Sequence, residues 1–121
     1  HRYELEPDLA VAAVPVHHGP VAALAWRVDI GACSITFSGD MSGDFNTLPT
    51  LAKGADLLVM HNAVPEDAAG VALRLHMLPS EIGQLVQASG AKRVLLSHRM
   101  KRTLGWNKRP SNRSASTTRV R

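Results

Sequence analysis

The sequence predicts an α/β fold, a mixed sheet covered by helices. Three observations carry that expectation. Three strand-like apolar stretches follow one another between residues 9 and 38 with only short polar breaks, the pattern of an antiparallel meander. Two more short apolar runs, 56–60 and 92–97, then alternate with segments that read as helices, the pattern of strands joined by helical crossovers. Finally, 121 residues with 45% apolar side chains suffice for one domain with a real core.

Taken in order, "LAVAAVPV" at 9–16 reads as a buried strand, closed by the polar break "HHGP". "VAALAWRVDI" at 21–30 is the second strand and "CSITFS" at 33–38 the third, with Gly31-Ala32 as a short hairpin connection. "DFNTLPTLAKGA" at 44–55 predicts a short helix, interrupted at Pro49 and closed by Gly54. "DLLVM" at 56–60 is a fourth strand, apolar on both faces as in sheets covered by helices. Residues 62–75 read as a loop with a helical turn. The clearest helix follows at 78–90: Pro79 lies in the first turn, Ser80 is a candidate cap, and Ile82, Leu85 and Val86 recur at helical spacing before Gly90. "KRVLLS" at 92–97 is the fifth strand, and periodicity stops from Met100 onward.

Charge is unevenly placed. Residues 1–100 hold seven Lys/Arg against ten Asp/Glu, a net of −3, whereas 101–121 hold seven Lys/Arg and no acid, a net of +7. The basic character therefore belongs to a tail, read as disordered over 106–121, which follows a domain at 1–105. Such a tail binds polyanions electrostatically, but it lacks the interleaved aromatics of a nucleic-acid motif. The single cysteine, Cys33, excludes a disulfide framework. No apolar run approaches a membrane span, and the first residues do not read as a signal peptide, so a soluble chain is expected, with the cytoplasm favoured.

Three strands end on groups that bind metals or move protons. "ITFSGD" ends in Asp40, "LLVM" runs into His61 and "VLLS" into His98, while His76 stands just before the clear helix. Gly39-Asp40 alone is ordinary turn chemistry, and each histidine alone reads equally as a core or surface residue. Their repetition at strand ends supports a shared site, because rigid strand ends hold side chains in place. A carboxylate with imidazoles suits zinc, manganese or iron.

The succession "GACSITFSGDMSGD", "LAKGADLLVMHNA" and "LHMLPSEIGQLVQASGAKRVLLSHR" resembles the C-terminal half of a metallo-β-lactamase-fold hydrolase, most similar to the ribonuclease Z and phosphodiesterase-like branch. The resemblance spans about residues 10 to 105. It implies the second half of an αββα fold and a metal-dependent hydrolysis of a phosphodiester or other small ester. It implies that Asp40 bridges two metal ions, zinc first among them, and that His98 binds the second. It implies that His76 lies by the scissile bond and assists proton transfer. His61 and His18 are expected behind the ligands or facing substrate, in structural roles, and His17 less so.

The departures are as informative. No His-x-His occurs, so the family's HxHxDH ligand motif is absent, and adjacent His17-His18 cannot stand in for it. At most Asp40 and His98 remain of about seven ligands, too few for a catalytic zinc, which wants three plus water. The fragment alone is expected to be inactive, with one apolar sheet face open until a missing N-terminal half or a second copy covers it. The tail departs too, and a shift of reading frame near Gly105 is one explanation. From a different class comes the alternative of a non-catalytic half-fold interaction module whose basic tail binds RNA. A truncated product with no function of its own is the third reading.

Overall fold

The computed structural model describes residues 1–104 and 118–119. Seven strands appear in it: β1 (Arg2–Glu6), β2 (Leu9–His18), β3 (Val21–Ile30), β4 (Cys33–Phe37), β5 (Leu57–His61), β6 (Arg93–Ser97) and β7 (Thr118–Arg119). They form one sheet in sequence order. β1 to β4 pair antiparallel, β4, β5 and β6 pair parallel, and β7 returns antiparallel to β6. The helices are α1 (Leu48–Leu51), α2 (Pro79–Ser89) and α3 (Lys101–Leu104), with a 3-10 turn at Gly70–Arg74.

Two-residue turns set the register of the meander. His18 opposes Val21 and Ile30 opposes Cys33, which leaves Gly19-Pro20 and Gly31-Ala32 as the connections. Parallel strands cannot be joined so tightly, and the chain passes through α1 between β4 and β5 and through α2 between β5 and β6. Asp56 fastens the starts of these strands together. Its carboxylate accepts from the Ser34 backbone N–H at 2.8 Å and from Lys92 Nζ at 2.7 Å. The Lys92 bond is the main reason its carboxyl is held down at about 2.

Both helices pack on the same face of the sheet. α2 buries Ile82, Leu85, Val86 and Ser89, one stripe at helical spacing, against Leu58, Met60 and Val94 of the strands and Leu48 of α1. Each large apolar side chain buried there stabilises the fold by about 1.5–3 kcal/mol. The opposite face carries Trp26 and Phe37, cross-strand partners that are 44% and 43% exposed, with Leu24, Ile30 and Leu95 beside them. The expectation for 56–60 is corrected accordingly. Leu58 and Met60 enter the core, but among the described residues no helix covers the other face.

Several boundaries move. The helix expected over 44–55 shrinks to Leu48–Leu51, because Gly43, Asn46 and Gly54 adopt positive φ and break the periodicity on either side. Ser80 is not the cap of α2. Leu78 occupies that position and its N–H donates to Glu81 Oε2 at 2.7 Å, while the Ser80 hydroxyl donates to Glu66. β1 was not expected at all, and α3 lies where periodicity stops. Of the 106–121 segment, read as disordered, only Thr118 and Arg119 are described, and the rest lies outside the described residues.

Candidate active site

β2 lies two antiparallel steps from β4, so it runs in the same direction as β4, β5 and β6. The C-terminal ends of all four therefore share one edge of the sheet. His18 ends β2, Asp40 follows β4, His61 ends β5 and His98 follows β6. His76 reaches the same edge from the connection before α2, its ring centroid 5.2 Å from that of His18, 5.5 Å from His61 and 6.1 Å from His98. All five candidates thus converge, although they are spread over eighty residues of chain.

Backbone geometry explains how Asp40 comes to be presented. Gly39 has φ +62, and a Cβ on it would lie 2.5 Å from the Leu24 carbonyl oxygen. Only glycine lets the chain leave β4 pressed against β3 and turn Asp40 outward. His98 also adopts a left-handed backbone, φ +54, which costs a non-glycine residue on the order of 1 kcal/mol. Such strain gathers at functional sites, and here it aims the ring at Asp40. Asp40 Oδ2 stands 3.4 Å from His98 Nε2 and 4.0 Å from His18 Nε2.

Behind this pair lies a drier layer. His61 is 2% exposed, and burial, reinforced by the neighbouring His76, pushes its ring down to about 4, so it is neutral near pH 7. Its backbone N–H donates to Ser38 Oγ at 3.1 Å, and that hydroxyl donates to the Gly39 carbonyl at 2.7 Å. Ser38 thereby ties β4, the Gly39 turn and β5 together, a role that sequence reading missed and that only its place in "SGD" could have signalled. His76 is also buried, and desolvation lowers its ring below the usual imidazole range. His61 Nε2 and His76 Nδ1 are buried without hydrogen-bond partners. Buried polar atoms are usually paired, so two unpaired ring nitrogens set this edge apart from an ordinary core.

A cavity of about 350 Å³ opens here, lined by Ser38, Asp40, His61, Ser97 and His98 together with Phe37 and Val59. His17 points elsewhere. Its Nδ1 meets both Ser42 Oγ at 2.7 Å and Asp44 Oδ2 at 3.0 Å, and its ring lies edge-on to Phe45. Because hydroxyl and carboxylate share one ring nitrogen, no proton relay through the ring exists, and this is not a nucleophile-base-acid triad.

The donor set fits a metal in part. Two donors bonded to one zinc at 2.0–2.1 Å stand about 3.3 Å apart in tetrahedral geometry, close to the Asp40–His98 separation. Yet among the described residues no group of three or more His, Cys, Asp or Glu side chains is arranged to hold a metal ion. Asp40 and His98 therefore fit as two donors of a larger set and not as a finished site.

The fold has known counterparts. The family model described as "Beta-lactamase superfamily domain" matches residues 1–99. No curated protein matches the chain. Among solved structures, the metallo-β-lactamase-fold protein YhfI from Bacillus subtilis is similar with TM-score 0.69 and 25% identity, over 82% of this chain and 39% of that one. Human tRNase Z, short form, follows with TM-score 0.65 and 24% identity, over 80% and 38%. Zn(2+)-bound PqqB from Methylobacterium extorquens gives TM-score 0.60 and 12% identity, over 82% and 42%. The chain thus spans about four-tenths of the length of these structures. It belongs to the β-lactamase superfamily domain family and has the metallo-β-lactamase α/β fold.

Proposed function

We propose that this chain supplies the C-terminal half of a metal-dependent hydrolase acting on a phosphodiester or another ester. One observation carries the reading: a strand-end carboxylate and imidazole, Asp40 and His98, sit 3.4 Å apart with a buried histidine, His76, beside them. Asp40 and His98 would hold the metal, two zinc ions in the complete protein or manganese or iron in their place. Bound metal activates water and neutralises charge that builds on a phosphoryl oxygen. His76 would serve the leaving group. Burial loosens its hold on a proton, which suits transfer to a departing oxygen. His61, neutral and enclosed, keeps water out behind the reacting groups. The substrate class leans on tRNase Z as a relative in fold, and the fold by itself hosts many reactions.

The test uses the gene product including any coding sequence upstream of His1, assayed on bis(p-nitrophenyl) phosphate with added zinc or manganese. D40A and H98A are expected to lower kcat/KM by at least about 100-fold and H76A by about 10²–10⁴-fold. Unchanged turnover in D40A would remove the proposal.

The basic segment favours a second reading, in which half of all Lys/Arg, seven of fourteen, lie in 101–121. As an interaction module the chain would bind RNA with steep salt dependence, lost on deleting 101–121. Salt-insensitive or absent binding excludes it.

A further inference from the structure

We propose that His18 is a positioning residue for His76, and that the β2–β3 turn acts as a latch on the segment carrying it. Contacts on both sides of Leu75 and His76 place the latch. His18 Nδ1 lies 2.8 Å from the Leu75 carbonyl oxygen. A carbonyl only accepts, so Nδ1 carries the hydrogen and donates it. That carbonyl belongs to the peptide unit joining Leu75 to His76, so the bond fixes the peptide plane immediately before the His76 Cα. The two rings then stand 5.2 Å apart.

The next residue of the turn closes on the same neighbour. Gly19 has φ +58, and a Cβ on it would lie 2.6 Å from Leu75 Cδ2. The turn thus meets Leu75 at two adjacent positions, one polar and one steric. On its other side the segment is held by the backbone alone: the N–H groups of Leu75 and His76 both donate to the Ala72 carbonyl, at 3.2 and 3.0 Å. The His76 ring has no polar tether at Nδ1, which is buried and without a partner. Its direction therefore follows from its backbone and from packing against the rings of His18, His61 and His98. Removing the His18 donor frees the backbone half of that arrangement.

The latch stands on geometry, whereas its effect on rate rests on the hydrolase reading above, so the test has two arms. In the first, the 121-residue chain is followed by amide hydrogen exchange and by the ring resonances of His76. H18A removes the latch, H18N keeps an N–H near the Nδ1 position, and H18Q moves the N–H to the Nε2 position, where Leu75 is out of line. Faster exchange at His76, by about tenfold or more, with shifted ring resonances is expected in H18A and H18Q, and near wild-type behaviour in H18N. G19A, which crowds Leu75 from the neighbouring position, should shift the same resonances. In the second arm, the gene product including any coding sequence upstream of His1 is assayed on bis(p-nitrophenyl) phosphate. H18A and H18Q should lose about 10–100-fold in kcat with KM within about twofold, and H18N should recover most of the loss.

If the wild-type protein shows no hydrolysis, the hydrolase reading fails and the exchange arm decides the latch alone. If H18A does not fold, H18N against H18Q makes the same comparison. Identical behaviour of H18N and H18Q in exchange, or unmoved His76 signals in every variant, overturns the proposal.

Discussion

His61 shows how one buried ring couples the site to stability. Its free-chain counterpart titrates near 6.5, whereas burial holds the folded ring at about 4. Between those values the unfolded chain binds a proton that the native protein does not, so stability rises with pH there. Conversely, it falls as pH drops from about 6.5 to about 4 and then levels off, by on the order of 3 kcal/mol for His61 alone. His76 is depressed in the same direction and steepens the loss. Urea denaturation of the metal-free chain at pH 7 and pH 5 measures this. H61F should flatten the difference, and an undiminished slope in H61F would assign the loss to other groups. Such couplings are beyond sequence reading. Asp40, His61 and His98 stood out because each ends an apolar run. The bond from His18 to Leu75 spans 57 residues and leaves no local trace.

At the scale of elements, the end of β4 is the most demanding point in the fold. Gly39 leaves the strand with φ +62 within contact of β3, and the atom in the way of a Cβ is the Leu24 carbonyl oxygen, which cannot swing aside as a side-chain tip would. G39A should therefore destabilise the chain by about 2 kcal/mol or more and displace Asp40, read as a lower urea midpoint. A wild-type midpoint would mean that β3 and β4 part at no cost. Elements with their own burial were legible: β2 to β6 and α2 carry apolar periods that match their packing. β1 was not, since every residue of Arg2–Glu6 is exposed. It is held by its ladder to β2 and by Arg2, whose Nη1 donates to Asp29 at 2.6 Å, and only the alternation of Tyr3 and Leu5 hinted at it. Ser80 misled because its partner, Glu66, lies fourteen residues upstream, where no local capping rule looks.

At the scale of the molecule, two kinds of incompleteness coincide. The sheet shows an apolar face running through Trp26, Phe37 and Leu95, and on the hydrolase reading proposed above Asp40 and His98 would be two metal donors where a catalytic centre needs more. On that reading one addition would resolve both, a second apolar layer that covers the face and brings further donors to the edge. The solved structures similar to it contain about twice as much chain as is present here, room enough for such a layer. Among the described residues helices cover one face of this sheet only, so β5, apolar on both sides in sequence, turns half of its side chains outward.

On the reading proposed above Asp40 and His98 are metal ligands, and the zinc content of the gene product, with any coding sequence upstream of His1 included, tests this most directly. Elemental analysis of purified protein should give about two zinc ions per chain, with D40A and H98A each losing at least one. Wild-type zinc content in both variants would contradict the account and leave the convergence of these side chains as a feature of the fold alone.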